Sequence, residues 1–374
     1  MLITPPAPPT AITMQFPAQE QLPDPFVLKN GKRVVTKGDW KKRRQEIQTL
    51  LENDEYGHLP PAPRNLRATL VSSLVVNNGA ARQEKISVSC GPRHAVKFDL
   101  ELLIPQGKKE PFAVILTGDA GTTPIPDEVV ARGYLLAHFD RTQFAPDDAT
   151  RDKGIYPLYP QSDAGALAAW AWGYSRAVDY LLQRPDVDAK RIAIAGHSRG
   201  GKAVALAGAL DKRIALTFPN QSGTGGASPF RLPGKGSESI AKITGRFGYW
   251  FHPHLQTFAG REAQLPFDQH FLLALIAPRA LLLNTALQDP YSNPASTHQS
   301  FLATREVFDF LGASDKIGSH VRDGGHSFGA QDWQVLLDFA DRQFFGRPTT
   351  TNFAGMSENQ SAAAFSWRAP RFLK

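Results

Sequence analysis

Gly196-His197-Ser198-Arg199-Gly200 places a serine between two glycines, after the apolar run RIAIAG and before a stretch rich in Gly and Ala. A strand that turns sharply into a helix at such a point lifts the hydroxyl clear of its neighbours, and small residues on either side keep the turn free of clashes. The helix N-terminus behind Ser198 would aim backbone N–H groups and a positive dipole end at an oxyanion forming there. A serine hydroxyl is a weak nucleophile without a base, so a histidine has to meet it in the fold. Of the ten histidines, His326 is the best placed, in Asp323-Gly324-Gly325-His326-Ser327 after the apolar run KIGSHV. His320 falls inside that run and is expected to be packed. The run RALLLNT is followed by Asp289, in the chain order serine, acid, histidine that this chemistry uses on a parallel sheet. A carboxylate there would fix the imidazole tautomer and stabilise the imidazolium. The competing role for Asp289 is turn formation before Pro290.

The elements that must position these residues follow from the hydrophobic pattern. Trp40, Ile47, Leu50 and Leu51 mark a short helix over Asp39–Leu51. Alternating runs between Arg67 and Ile104 predict antiparallel strands opening a sheet. FAVILTG (112–118) and GYLLAHF (133–139) are continuous apolar runs of the buried parallel kind. A helix is expected at about Ala164–Leu182, with Leu167, Trp170, Tyr174, Val178 and Leu181 on one face, and another over Lys202–Leu210. RIALTF, RALLLNT and KIGSHV continue the strands, and helices near Ala295–Leu311 and Asp332–Phe345 complete the alternation. Strand–helix alternation of this length predicts a doubly wound, mostly parallel sheet in a three-layer αβα sandwich, preceded by antiparallel strands, which is the α/β-hydrolase fold. The expected organisation is an extended N-terminal tail over 1–25, one catalytic domain over 26–346 and an irregular C-terminal tail over 347–374.

With 374 residues, 42% of them apolar and 10% aromatic, the chain has ample material for a core. Its single cysteine, Cys90, excludes an internal disulfide. No run approaches the roughly 18 apolar residues of a membrane span, and MLITPPAPPTAITMQF shows no signal-peptide pattern. The formal net charge of +7 comes from scattered basic residues without interleaved stacking aromatics, so no nucleic-acid partner is expected. His252, His254 and His270 raise the possibility of zinc, but no further ligand sits at metal spacing, so no metal or other cofactor is expected.

With these residues in place, the sequence resembles the glucuronoyl esterases, carbohydrate esterase family 15, and especially their bacterial members. The resemblance runs from about Leu22 to Phe345 and is carried by LPDPFVL, AAWAWGYSRAVDYL, RIAIAGHSRGGKA, SGTGGAS, YWF and LPFDQHFLLALIAPRALL. The element Ser-Arg-x-Gly-Lys around Ser198 is more specific than its glycines alone. The resemblance implies Ser198 as nucleophile, Arg199 beside the oxyanion, and Lys202 and Glu238 as sugar-binding residues. Lys202 lies four residues after Ser198 and so on the same helix face. The alternative for it is a solvated helix lysine. Three positions depart from the family pattern. Gln221 stands where many members have a catalytic Glu, which leaves Asp289 as the carboxylate for His326. Tyr291 replaces a tryptophan expected to face the substrate. His197 replaces the cysteine that fungal members carry before the serine. The resemblance implies a serine carboxylesterase acting on glucuronic acid esters of xylan, as in lignin–carbohydrate linkages, secreted or periplasmic and monomeric. The alternatives are a related acetyl or feruloyl esterase, or a weakly active polysaccharide-binding relative.

Overall fold

The computed structural model describes residues 20–119, 127–356 and 363–371. Residues 1–19 of the expected N-terminal tail, and 357–362 and 372–374 of the C-terminal one, lie outside these. Among the described residues nine strands form one sheet in the order β1-β2-β3-β5-β4-β6-β7-β8-β9. The first three, β1 (Arg67–Val76), β2 (Ala81–Cys90) and β3 (Val96–Pro105), form an antiparallel meander, and β3 pairs antiparallel with β5 (Leu135–Phe139). From there β4 (Phe112–Thr117), β6 (Val187–His197), β7 (Leu216–Asn220), β8 (Ala280–Ala286) and β9 (Ile317–Arg322) run parallel.

Every residue of β4 and β8 is buried, as a parallel strand covered on both faces requires. Alternate side chains feed two separate cores. Val114, Leu116, Ile192 and Ile194 join the larger one, while Ala113, Ile115, Ala193 and Ala195 join the smaller. The larger core is roofed by α1 (Lys37–Leu51), α3 (Ala166–Leu181), α4 (Arg199–Leu210) and α6 (Gln269–Ala274), with α7 (Pro294–Leu311) beside them. The smaller lies under α8 (Ala330–Phe345), with Val129 of the short α2 (Glu128–Ala131). The remaining helix, α5 (Ile240–Phe247), belongs to the excursion between β7 and β8.

The expected one-sided face of α3 proves too narrow, since fifteen of its sixteen residues are buried, all but Asp179. A helix this rich in apolar residues sinks into the core rather than lying on it, and takes Ser175 and Arg176 with it. Its Tyr174 hydroxyl accepts the Gly118 N–H (2.7 Å) and donates to the Ala195 carbonyl (3.2 Å), tying the end of β4 to β6. These two strands flank the point where strand order reverses, and ligands of open α/β sheets bind beyond the carboxyl ends there.

Residues 347–356 and 363–371 are irregular but closely packed. Phe353 and Phe365 are buried, the Ser319 N–H donates to the Phe353 carbonyl (2.8 Å), and the Trp367 indole donates to the Leu22 carbonyl (2.8 Å). Among the described residues no helix is long and apolar enough to cross a membrane.

Candidate active site

At the carboxyl end of β6 the chain reverses into α4 through Ser198, whose φ of 55° and ψ of −122° lie where a residue with a Cβ is strained. The turn is held from two sides. The Ser198 N–H donates to the Asn220 carbonyl (3.0 Å), and the His197 N–H donates to Asp119 Oδ2 (2.5 Å). Glycines are required because a Cβ at 196 would sit 2.6 Å from the Gly200 carbonyl oxygen, and one at 200 would overlap the Asp119 carboxylate. Burial pushes the Asp119 carboxyl up, opposed by Arg141, whose Nη1 lies 2.6 Å away. Asp119 and Arg141 escaped the sequence reasoning; the only signal was an acid directly after a buried strand. The first-turn N–H of Arg199 has no hydrogen-bond acceptor among the described residues and is free for an incoming oxyanion.

Asp289 and His326 meet as the chain order predicts. His326 Nδ1 donates to Asp289 Oδ2 at 2.7 Å, which leaves Nε2 as the free acceptor. Asp289 is 1% exposed and its Oδ1 accepts the Tyr291 N–H (3.0 Å). Burial pushes the Asp289 carboxyl up, but the His326 hydrogen bond and Ser292 outweigh it and hold the group below the ordinary carboxylate value. Among the described residues Gln221 makes no side-chain hydrogen bond to this pair. Its Oε1 accepts the Ser327 N–H (2.9 Å), so it braces the backbone beside His326.

Ser198, His326, Arg199, Lys202, Gln221, Glu238 and Tyr291 line one cavity of about 230 Å³, with Ser222, Arg246, Phe247 and Trp250. Six of the seven site positions named from sequence or resemblance thus line one cavity, and the seventh, Asp289, adjoins it through His326. Arg199 Nη1 pairs with Asp147 Oδ2 (2.7 Å), and its guanidinium lies 5.3 and 5.0 Å from the ring centres of Phe247 and Trp250, which stack on each other at 4.0 Å. Asp147 also accepts from the Trp250 indole (2.8 Å) and the Tyr249 hydroxyl (3.1 Å). Lys202 is not solvated. It is 4% exposed, and Nζ donates to the Ser222 (2.5 Å) and Thr224 (2.6 Å) carbonyls. Burial pulls its pKa down to about 8, with Glu238 acting in the opposite direction. Tyr291 is 49% exposed, its ring edge-on to His326 at 5.6 Å.

Three other histidines bond separate partners, while His58 and His252 share Asp163. His270 is buried with Nε2 on the Pro23 carbonyl (2.8 Å), His254 pairs with Asp54 (2.8 Å), and His320, packed as expected, bonds Asn284 (2.7 Å). A hydroxyl on a strained turn, a carboxylate-oriented imidazole and a helix N-terminus around one small cavity can carry out acyl transfer through an oxyanion.

A family model described as glucuronyl esterase, fungi, matches residues 86–312, more than half of the chain. The chain is 31% identical to carbohydrate esterase MZ0003 from an unknown prokaryotic organism, over 87% of this chain and 90% of that one. It is 35% identical to a 4-O-methyl-glucuronoyl methylesterase of Podospora anserina over 83% of its own length, spanning 64% of that longer chain. A solved carbohydrate esterase family 15 glucuronoyl esterase from Caldicellulosiruptor kristjansonii superposes with a TM-score of 0.82 at 33% identity, covering 96% of this chain and 99% of that one.

Proposed function

The chain belongs to the glucuronoyl esterase family, and on that premise we propose that it cleaves esters of 4-O-methyl-glucuronic acid side chains of xylan through an acyl-enzyme on Ser198. The observation that carries this reading is the 2.7 Å Asp289–His326 pair in the same cavity as the strained Ser198 turn. Ser198 Oγ attacks the uronoyl carbonyl carbon while His326 Nε2 takes its proton. Asp289 holds the Nδ1–H tautomer and the imidazolium that results. The Arg199 N–H and guanidinium stabilise the tetrahedral oxyanion. Collapse expels the alcohol, which takes the proton from His326. Water, deprotonated by His326, then attacks the acyl carbon, and Ser198 leaves with that proton to release glucuronic acid.

Lys202 and Glu238 divide recognition of the sugar by polarity. Lys202 can only donate, and Glu238, which no side chain among the described residues hydrogen-bonds, can only accept. Tyr291 offers its exposed ring to the alcohol moiety. The natural linkage is read as a lignin–carbohydrate ester in plant cell wall, a polymer too large to enter a cell, so the enzyme works outside the cytoplasm. The test is a panel of esters: benzyl glucuronate is expected to be hydrolysed far faster than acetyl or feruloyl esters. Rapid acetyl or feruloyl cleavage without turnover of benzyl glucuronate would overturn the substrate class.

A further inference from the structure

His326 has one hydrogen bond to Asp289 and a second nitrogen reserved for proton transfer, so a single bond does not fix the tilt of its ring. A column of rings stands against its face. The centre of the His197 ring lies 4.5 Å from that of His326 at an interplanar angle of 39°, and 6.0 Å from Phe328 at 36°. Phe328 in turn stacks on Trp333 at 4.7 Å and 10°, and Trp333 is 1% exposed in the smaller core.

The protonation of His197 follows from a chain of hydrogen bonds anchored on an ion pair. Asp332 pairs with Arg322 Nε (2.7 Å) and, as a carboxylate, can only accept, so Asn284 must turn its Nδ2 to it (2.6 Å). The same Nδ2 donates to Asn220 Oδ1 (2.7 Å). Asn220 therefore presents Nδ2 to His197 Nδ1 (3.1 Å), which must accept, and the His197 proton resides on Nε2. Asn220 Nδ2 and Arg322 Nη2 also bond the Ser327 carbonyl, at 3.3 and 3.1 Å, so the chain that sets the tautomer also grips the residue next to His326.

We propose that His197 is a positioning residue for His326: a neutral imidazole, its tautomer dictated from Asp332 through Asn284 and Asn220, that serves as the platform holding the catalytic base in its plane. Neutrality matters because a second cation this close would oppose formation of the His326 imidazolium. Burial lowers the His197 pKa to about 4, and the neighbouring His326 acts in the same sense. The other charged groups facing this pair are Asp289 after β8, Arg322 at the end of β9 and Asp332 in the first turn of α8.

The inference rests on His326 being the base, and its test separates the two ideas. Long-range proton–nitrogen NMR on histidine-labelled enzyme is expected to find His197 in the neutral Nε2–H form from pH 5 to 9, a range set by its lowered pKa of about 4. His197→Ala is expected to lower kcat by roughly tenfold to a hundredfold with little change in KM. The acid limb of its kcat/KM profile should move to higher pH, as water entering the gap solvates the imidazolium. His197→Phe keeps a flat neutral face and should recover most of kcat and the original limb. An Nδ1–H or charged His197 overturns the proposal, and so does a folded Ala variant with wild-type kcat and pH profile. Full turnover in His326→Ala would instead remove the catalytic reading beneath it.

Discussion

Lys202 has three N–H donors when charged and gives two of them to the carbonyl oxygens of Ser222 and Thr224. Only the third remains for a sugar hydroxyl, and it is the proton lost as pH rises through the lowered pKa of about 8. KM for benzyl glucuronate is therefore expected to climb above pH 8 while kcat holds. Lys202→Met should raise KM at all pH values and abolish that climb; a KM flat through pH 10 in the wild type would contradict the role. Ser198, Asp289 and His326 were legible in sequence because their positions are defined by strands, turns and chain order. Asp119, Asn220, Asn284 and Asp332 were not, because each is an ordinary polar residue until the fold shows what it faces. Gln221 was read as a missing acid, and the structure gives it the Ser327 N–H.

Among the elements, the strands and long helices were legible where apolar runs were long and bounded. Helix α3 lost its one-sided pattern because its polar positions, Ser175 and Arg176, are buried too. The excursion between β7 and β8 was opaque: α5 and α6 are eight and six residues long, too short for periodicity to declare them. The ion pair at the head of α8 reaches the site through the Ser327 carbonyl, which Arg322 Nη2 bonds at 3.1 Å. Arg322 is 8% exposed and Asp332 1%, so Asp332→Ala leaves a buried guanidinium without its carboxylate, at a cost of about 3–5 kcal/mol. Urea unfolding is expected to show that loss, with kcat falling as the His326 loop loosens. A variant of unchanged stability would mean the pair is not buried as described.

At the scale of the whole molecule, the first described residues close against the last. Trp367 stacks on Phe365 (4.3 Å), meets Phe26 edge-on (6.1 Å) and lies over His270 (6.0 Å), in a seam that joins residues 22–26 to 363–371. Composition could not reveal this, since an irregular polar stretch with a few aromatics reads as a tail. Trp367→Ala should cost about 2–4 kcal/mol and lower Tm, leaving kcat/KM unchanged below the transition. The fold brings Ser198 from the end of β6, Asp289 from beyond β8 and His326 from beyond β9 together. The most direct test is mass spectrometry of enzyme quenched during turnover of benzyl glucuronate. A glucuronoyl adduct is expected on the peptide carrying Ser198, and none in an inactive Ser198→Ala variant. Undiminished turnover in Ser198→Ala, or an adduct on another residue, would contradict it.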